Sequence, residues 1–249
     1  MQNHIRAAPG EESASAGHRR RWSLWRSLFA VTLAFAGACV PAARLAALLA
    51  TPEARRRLAA ANPGTSSVYR VMGKKAAVAV FTADALKGLL PPLLGRAAGA
   101  GPITIDALML APLAGHVVVG GGRGVAILAG SVLAADPPGF AIILPIWVAP
   151  TVKNEHARGV LVACLLFPVV RWLLGRSKAR VALAAGVPLL LVYARLRGPG
   201  WADTRWTPRL VWSRLTCDAE PPEPSPLDAG PLKAGRADTA LADRRVRHV

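Results

Sequence analysis

Two short stretches of this chain place polar and cationic residues at spacings suited to gripping an anion. The first begins at Asn62 and reads Asn-Pro-Gly-Thr-Ser-Ser-Val-Tyr-Arg-Val-Met-Gly-Lys-Lys, then passes into an apolar run that holds Asp84 and Lys87. Asn62 precedes a proline and is biased toward extended backbone, while Gly64 permits turns that other residues resist. Ser66 or Ser67 can cap the helix that follows, whose free N–H groups favour an anion. Arg70 lies about one turn inside, where its planar fork can hold two phosphate oxygens. An ordinary capped interfacial helix with snorkelling cations explains the same residue types, and both readings stand.

Asp84 and Lys87 are i,i+3 neighbours, so they share one face of an apolar helix and can neutralise each other. Ionisable groups in such a segment are costly and often functional, and a structural ion pair at a helix contact is the competing reading. The second stretch reads Gly115-His116-Val-Val-Val-Gly120-Gly121-Gly122-Arg123-Gly124. Consecutive glycines let backbone amides approach a phosphate, and Arg123 supplies charge. Glycines also serve close helix packing, and the run lacks the Lys-Ser/Thr ending of a P-loop. Glu155 and His156 can form an acid/base pair or simply line a solvated loop. No Ser/His/Asp or Cys/His arrangement stands out, and neither a metal nor a cofactor is expected.

The elements that carry these residues belong in a membrane. Hydrophobic residues make up 53% of the chain but aromatics only 6%, a balance that suits helices packed through small residues. Runs near Leu28–Ala50, Gly159–Gly175 and Ala179–Leu196 approach the ~20 residues needed to cross a bilayer. The net charge of +17 would suit nucleic acid, but the cations cluster at the ends of apolar runs (Arg19–Arg21, Arg55–Arg57, Lys74-Lys75, Arg176–Arg180). Membrane flanking explains that placement, so membrane lipids rather than nucleic acid are the expected partners. Cys39, Cys164 and Cys217 show no paired spacing. A signal peptide could explain the first apolar run, but the repeated runs downstream favour a retained helix.

The expected fold is therefore all-α, a polytopic membrane bundle of about seven transmembrane helices, some short. Trp22 and Trp25 mark the interface; the helices follow from Leu28 to near Ala50, then 76–94, 104–119, 125–135, 140–152, 159–174 and 179–196. The short ones must be tilted, re-entrant or buried by their neighbours. Residues 1–21 read as a disordered tail, 22–197 as the membrane domain, and 198–249 as a polar, largely disordered tail. Charge placement puts the 51–75 loop and the C-terminal tail on one side and the Asp136–Gly139 turn on the other, but it leaves Arg19–Arg21 and Arg176–Arg180 on the less favoured side.

The motifs resemble those of the bacterial integral-membrane acyl-phosphate:glycerol-3-phosphate acyltransferases. That family's first motif, Ser-Gly-Asn-x-Gly-Ala-Thr-Asn-Val-Leu-Arg, is followed by Gly-Lys-Lys-Ala-Ala and Asp-x-x-Lys-Gly. Asn62, Gly64, Val68, Arg70, Gly73–Ala77, Asp84, Lys87 and Gly88 keep its register. Gly37–Pro41 is similar to the family's Gly-Ser-Ile-Pro. Gly115-His116 and Gly121–Ala126 resemble its Gly-His and Lys-Gly-Gly-Lys-Gly-Val-Ala-Thr. The family serine falls at Ala60, the Thr and Asn at Ser66 and Ser67, and the two lysines at Gly120 and Arg123. The loop after Gly-His is about four residues shorter. The third motif, Arg-His-Arg-Glu-Asn, would fall at Arg195–Pro199, where its His and Glu are absent.

The resemblance implies a multi-pass protein of the bacterial inner membrane. It would move an acyl group from acyl phosphate to glycerol 3-phosphate, giving lysophosphatidic acid for phospholipid synthesis. It also implies substrate contacts from Asn62, Gly64, Ser66, Ser67, Arg70, His116, Gly121, Gly122 and Arg123, with Asp84 and Lys87 in support. A non-catalytic homologue that keeps the fold as a lipid- or phosphate-binding scaffold is the alternative.

Overall fold

A computed structural model describes residues 9–60, 64–153, 155–197 and 206–217, and all the regular structure among them is helical. The order is α1 Pro9–Ala38, α2 Ala42–Leu48, α3 Pro52–Ala60, α4 Thr65–Met72, α5 Lys74–Ala97, α6 Pro102–Ala114, a π-helical turn Gly115–Val119, α7 Val125–Ala135, α8 Pro137–Val148, α9 His156–Leu173, α10 Lys178–Leu196 and α11 Pro208–Thr216. Each of the seven expected apolar segments coincides with a helix or a helix pair. Seven crossings do not follow from this. Among the described residues, four helices are long and apolar enough to cross a membrane: α5, α6 with its π turn, α9 and α10. The pair formed by Leu24–Ala38 and α2, bent by 42°, makes a fifth if it counts as one span.

The short helix α7 is instead enclosed by the bundle, with most of its side chains buried. Its fit against α5 depends on missing side chains. A Cβ on Gly88 would lie 2.0 Å from the Ile127 carbonyl oxygen, and one on Gly130 would lie 2.0 Å from that of Ala85. Ser131 Oγ donates to the Gly88 carbonyl across the same contact, at 3.2 Å. Backbone-to-backbone packing of this kind holds helices together where lipid leaves no hydrophobic drive between them.

At the end where α6 and α10 begin and α7 and α9 finish, five charges form a closed network. Arg171 is fully buried; its Nε donates to Asp136 Oδ2 at 3.0 Å and its Nη2 to Asp106 Oδ1 at 2.7 Å. Arg176 donates to the other Asp136 oxygen at 2.7 Å, and Arg180 Nε to Asp106 Oδ2 at 2.6 Å. The Arg176–Arg180 group, expected as headgroup-facing cations, is thus largely engaged with carboxylates. Its place at this end is compatible with an apolar setting because the charge is mostly cancelled within the fold.

The opposite end carries α2, α3 and α4, which fold over the start of α5 around Ala42, Ala43, Leu58, Val68 and Val80. α11 docks at this end too: Arg195 donates to the Leu215 carbonyl and Arg214 to that of Leu196. Pro208–Thr216 falls in the segment expected to be largely disordered, yet it has a capped start, with Thr207 Oγ1 accepting from Leu210 N at 3.2 Å. α1 likewise begins well ahead of the boundary expected at residue 22. Residues 1–8, 198–205 and 218–249 of the two expected tails lie outside the described residues.

Removing one partner from a buried ion pair leaves the other charge uncompensated, at a cost of about 3–5 kcal/mol. Asp106→Asn should therefore lower the thermal unfolding midpoint in detergent far more than Glu53→Gln, which only breaks the exposed pair to Arg57. Differential scanning fluorimetry of the two variants beside the parent protein checks this.

Candidate functional site

The site is organised by a break between α1 and α2. A helix end exposes backbone groups that an apolar environment cannot satisfy, and Pro41 has no N–H to offer. Two side chains of α5 satisfy them. Lys87 Nζ donates to the Val40 carbonyl at 2.6 Å, and Asp84 Oδ1 accepts the Ala42 N–H at 3.1 Å. The same carboxylate oxygen pairs with Lys87 at 3.1 Å. The i,i+3 pair read from the sequence is therefore a clamp on a broken helix, and it acts on the backbone.

The glycine stretch packs against this break. The π-helical turn closes with the Gly120 N–H on the Gly115 carbonyl at 3.1 Å, and the Gly122 N–H reaches the His116 carbonyl at 3.3 Å. Gly121 and Gly124 have φ of +76° and +72°, values that glycine adopts at little cost. At Gly120 a Cβ would meet the carbonyl oxygens of His116 and Cys39 and the ring of Pro41. At Gly122 it would lie 2.1 Å from His116 Nε2, so the bare backbone forms one wall of the imidazole's pocket. His116 is 3% exposed, its Nδ1 is buried with no hydrogen-bond partner, and Asp84, Lys87 and Arg44 lie within electrostatic range of it. A buried polar atom without a partner calls for a ligand or water.

The first motif flanks the break on its other side. Asn62 lies outside the described residues. Gly64, in extended conformation, is the N-cap of α4, and no side chain caps that end. This corrects the expectation that Ser66 or Ser67 caps it: both sit inside the first turn, Ser66 exposed and Ser67 buried. Val68 is fully buried against α2, while Arg70, in the last turn, faces outward. α2 touches both motifs, packing on α4 while Arg44 Nη2 lies 3.7 Å from where a Cβ on Gly121 would stand. The fold thus brings Asp84, Lys87, His116 and the glycines together around residues 39–44, with the Arg70 helix on the same end of the bundle. Glu155 is not part of this group; it pairs with Arg158 at 2.6 Å on an exposed helix start.

Residues 28–198 match the family model described as glycerol-3-phosphate acyltransferase. The chain belongs to this family. It is 35% identical to the glycerol-3-phosphate acyltransferase of Rubrobacter xylanophilus over 127 residues, which span 49% of this chain and 64% of that protein. With the enzyme of Methylococcus capsulatus it shares 31% identity over 151 residues, 58% of this chain and 76% of the relative. Its fold is similar to that of PlsY (YgiH), an integral membrane glycerol 3-phosphate acyltransferase, in the glycerol 3-phosphate form. That likeness has a TM-score of 0.61 at 24% identity and covers 68% of this chain and 88% of PlsY.

Against this family, two departures have visible structural counterparts. Gly120, where the family has lysine, is seated on Pro41 and Cys39 with no room for a side chain. Where the third motif would lie, the two arginines that remain are engaged with backbone. Arg195 holds the Leu215 carbonyl at 2.8 Å, and Arg197 holds that of Val118, in the π turn, at 2.6 Å. The residues that sequence reasoning missed are Arg44 and Val40. The signal for them was present: a proline in an apolar run, with a cation three residues later.

Lys87→Met should strand both the Val40 carbonyl and Asp84, at about 3–5 kcal/mol for the widowed charge. The expected results are a lower midpoint in detergent and faster hydrogen exchange at Val40 and Ala42, with the α9–α10 amides unaffected. Exchange read by mass spectrometry decides it.

Proposed function

We propose that this chain transfers an acyl group from an acyl phosphate to glycerol 3-phosphate, giving lysophosphatidic acid at the inner membrane of a bacterium. The observation that carries this reading is the convergence of the retained motif residues around residues 39–44, where a buried imidazole has one nitrogen unpartnered. In the reaction, a glycerol hydroxyl oxygen attacks the acyl carbonyl carbon and the bond from that carbon to the phosphate oxygen breaks. Phosphate departs, and a phosphate oxygen takes the hydroxyl proton. Such a displacement brings its own leaving group and its own base, so the protein's part is positioning and charge stabilisation. Arg70 and Arg123 bind phosphate, and Asn62, Ser66 and Ser67 donate hydrogen bonds. Gly64 frees the start of α4, Gly121 and Gly122 offer bare backbone, and His116 accepts a substrate hydrogen at Nδ1. Asp84 and Lys87 act through the helix break.

A second reading has one observation in its favour. Arg195 and Arg197 hold protein carbonyls, and the family's His and Glu are absent beside them, which suits a scaffold that binds lipid or phosphate without turning it over.

Purified protein given palmitoyl phosphate and glycerol 3-phosphate separates the two. Transfer is expected, and Arg70→Ala should lower kcat/KM by about 10–100-fold through loss of a charged hydrogen bond. A parent rate no higher than that of the Arg70→Ala control would leave the scaffold.

A further inference from the structure

The cations near the glycine loop are not equally available. Lys87 is engaged with the Val40 carbonyl and Asp84, Arg197 with the Val118 carbonyl, and Arg55 with the carbonyls of Ala47 and Leu48 at the end of α2. Arg44 differs. It is exposed in the first turn of α2; its backbone N–H donates to the Pro41 carbonyl, and among the described residues its guanidinium makes no hydrogen bond or ion pair. Its guanidinium reaches the rim of the glycine loop at Gly121 and lies within electrostatic range of His116.

Position 120 cannot supply a cation here. A Cβ would stand 2.5 Å from the His116 carbonyl oxygen and 3.0 Å from that of Cys39, both of them backbone atoms that cannot rotate away. The loop lies on the α1–α2 break, with Gly120 against Pro41 and the Cys39 carbonyl. The same contact brings the first turn of α2 under the loop.

We infer that Arg44 is a phosphate-binding residue of this site, delivered by α2 to the rim of the glycine loop. This rests on the function proposed above and assigns a residue to it. The ligand is a phosphate group presented with the unpartnered His116 Nδ1 and the loop backbone nearby. Both the phosphomonoester of glycerol 3-phosphate and the head of an acyl phosphate have that chemistry. A guanidinium suits either, because its donors pair with two oxygens at once.

The test measures the full-length protein in detergent with the variants Arg44→Gln and Arg44→Lys. KM is determined separately for glycerol 3-phosphate and for palmitoyl phosphate, and glycerol 3-phosphate alone is titrated calorimetrically. Arg44→Gln should raise one of the two KM values by about tenfold or more while leaving kcat and the thermal midpoint near the parent's, and Arg44→Lys should recover part of the loss. Which KM moves identifies the phosphate. Adding Gly120→Lys to Arg44→Gln should not restore it, since the new side chain has no room. Unchanged KM values for both substrates would make Arg44 an ordinary surface cation and overturn the assignment, as would restoration by Gly120→Lys. A parent protein that binds glycerol 3-phosphate without transferring acyl groups would sink the proposed function alone, and the Arg44 assignment would then be read from the calorimetry. A parent that neither binds nor transfers would sink both.

Discussion

Everything at the site end depends on two backbone groups finding partners where water is scarce. The helix that enters the bundle as α1 ends at Ala38, just ahead of Pro41, and the break exposes the Val40 carbonyl and the Ala42 N–H. An unmet backbone group in an apolar setting costs several kcal/mol, so the bend persists only if something else meets it. Asp84 and Lys87 do so together, and pairing with each other lowers the cost of bringing two charges into the bundle. Once the bend is held, Pro41 forms a floor for Gly120, α2 leaves the bundle axis, and α3 and α4 can fold back over α5. Without the clamp, the straight continuation of α1 would carry Arg44 away from the loop.

The two ends of the bundle use charge in opposite ways. At the far end, three arginines share two carboxylates and Arg171 has no exposure at all. That network ties four helices together and leaves little charge to attract a ligand. At the site end several cations are engaged with carbonyls, and Arg44 and Arg70 face outward. The buried helix α7 runs between the two ends, packed on α5 through Gly130 and Ser131.

Much of this was legible in the sequence because it is local. Apolar runs mark helices whatever they pack against, and the Asp84/Lys87 spacing is a property of one helix. The rest depended on contacts that no local pattern encodes. Asp106 meets Arg171 across 65 residues, so each looks like an isolated charge near a helix end. The serines of the first motif are reasonable caps by type, but Gly64 adopts the extended conformation first and places them inside the turn. α11 was hidden by proline and charge on both sides. Its stability comes from Arg195 and Arg214 reaching across the α10–α11 junction to carbonyls on the opposite helix. The number of crossings stays open to a sequence reading because hydropathy cannot distinguish a helix facing lipid from one, like α7, enclosed by other helices.

The missing third-motif residues bear differently on binding and on chemistry. Arg197 stacks over Tyr193, with 5.7 Å from its guanidinium carbon to the ring centroid, and holds Val118 in the turn that presents His116. That contact bridges 79 residues and braces the loop from behind. A site built this way gains its effect from preorganised donors, which suits a reaction whose substrates bring both the leaving group and the base. The absence of the third motif's histidine and glutamate leaves intact the arrangement of break, loop and imidazole on which the proposed transfer depends.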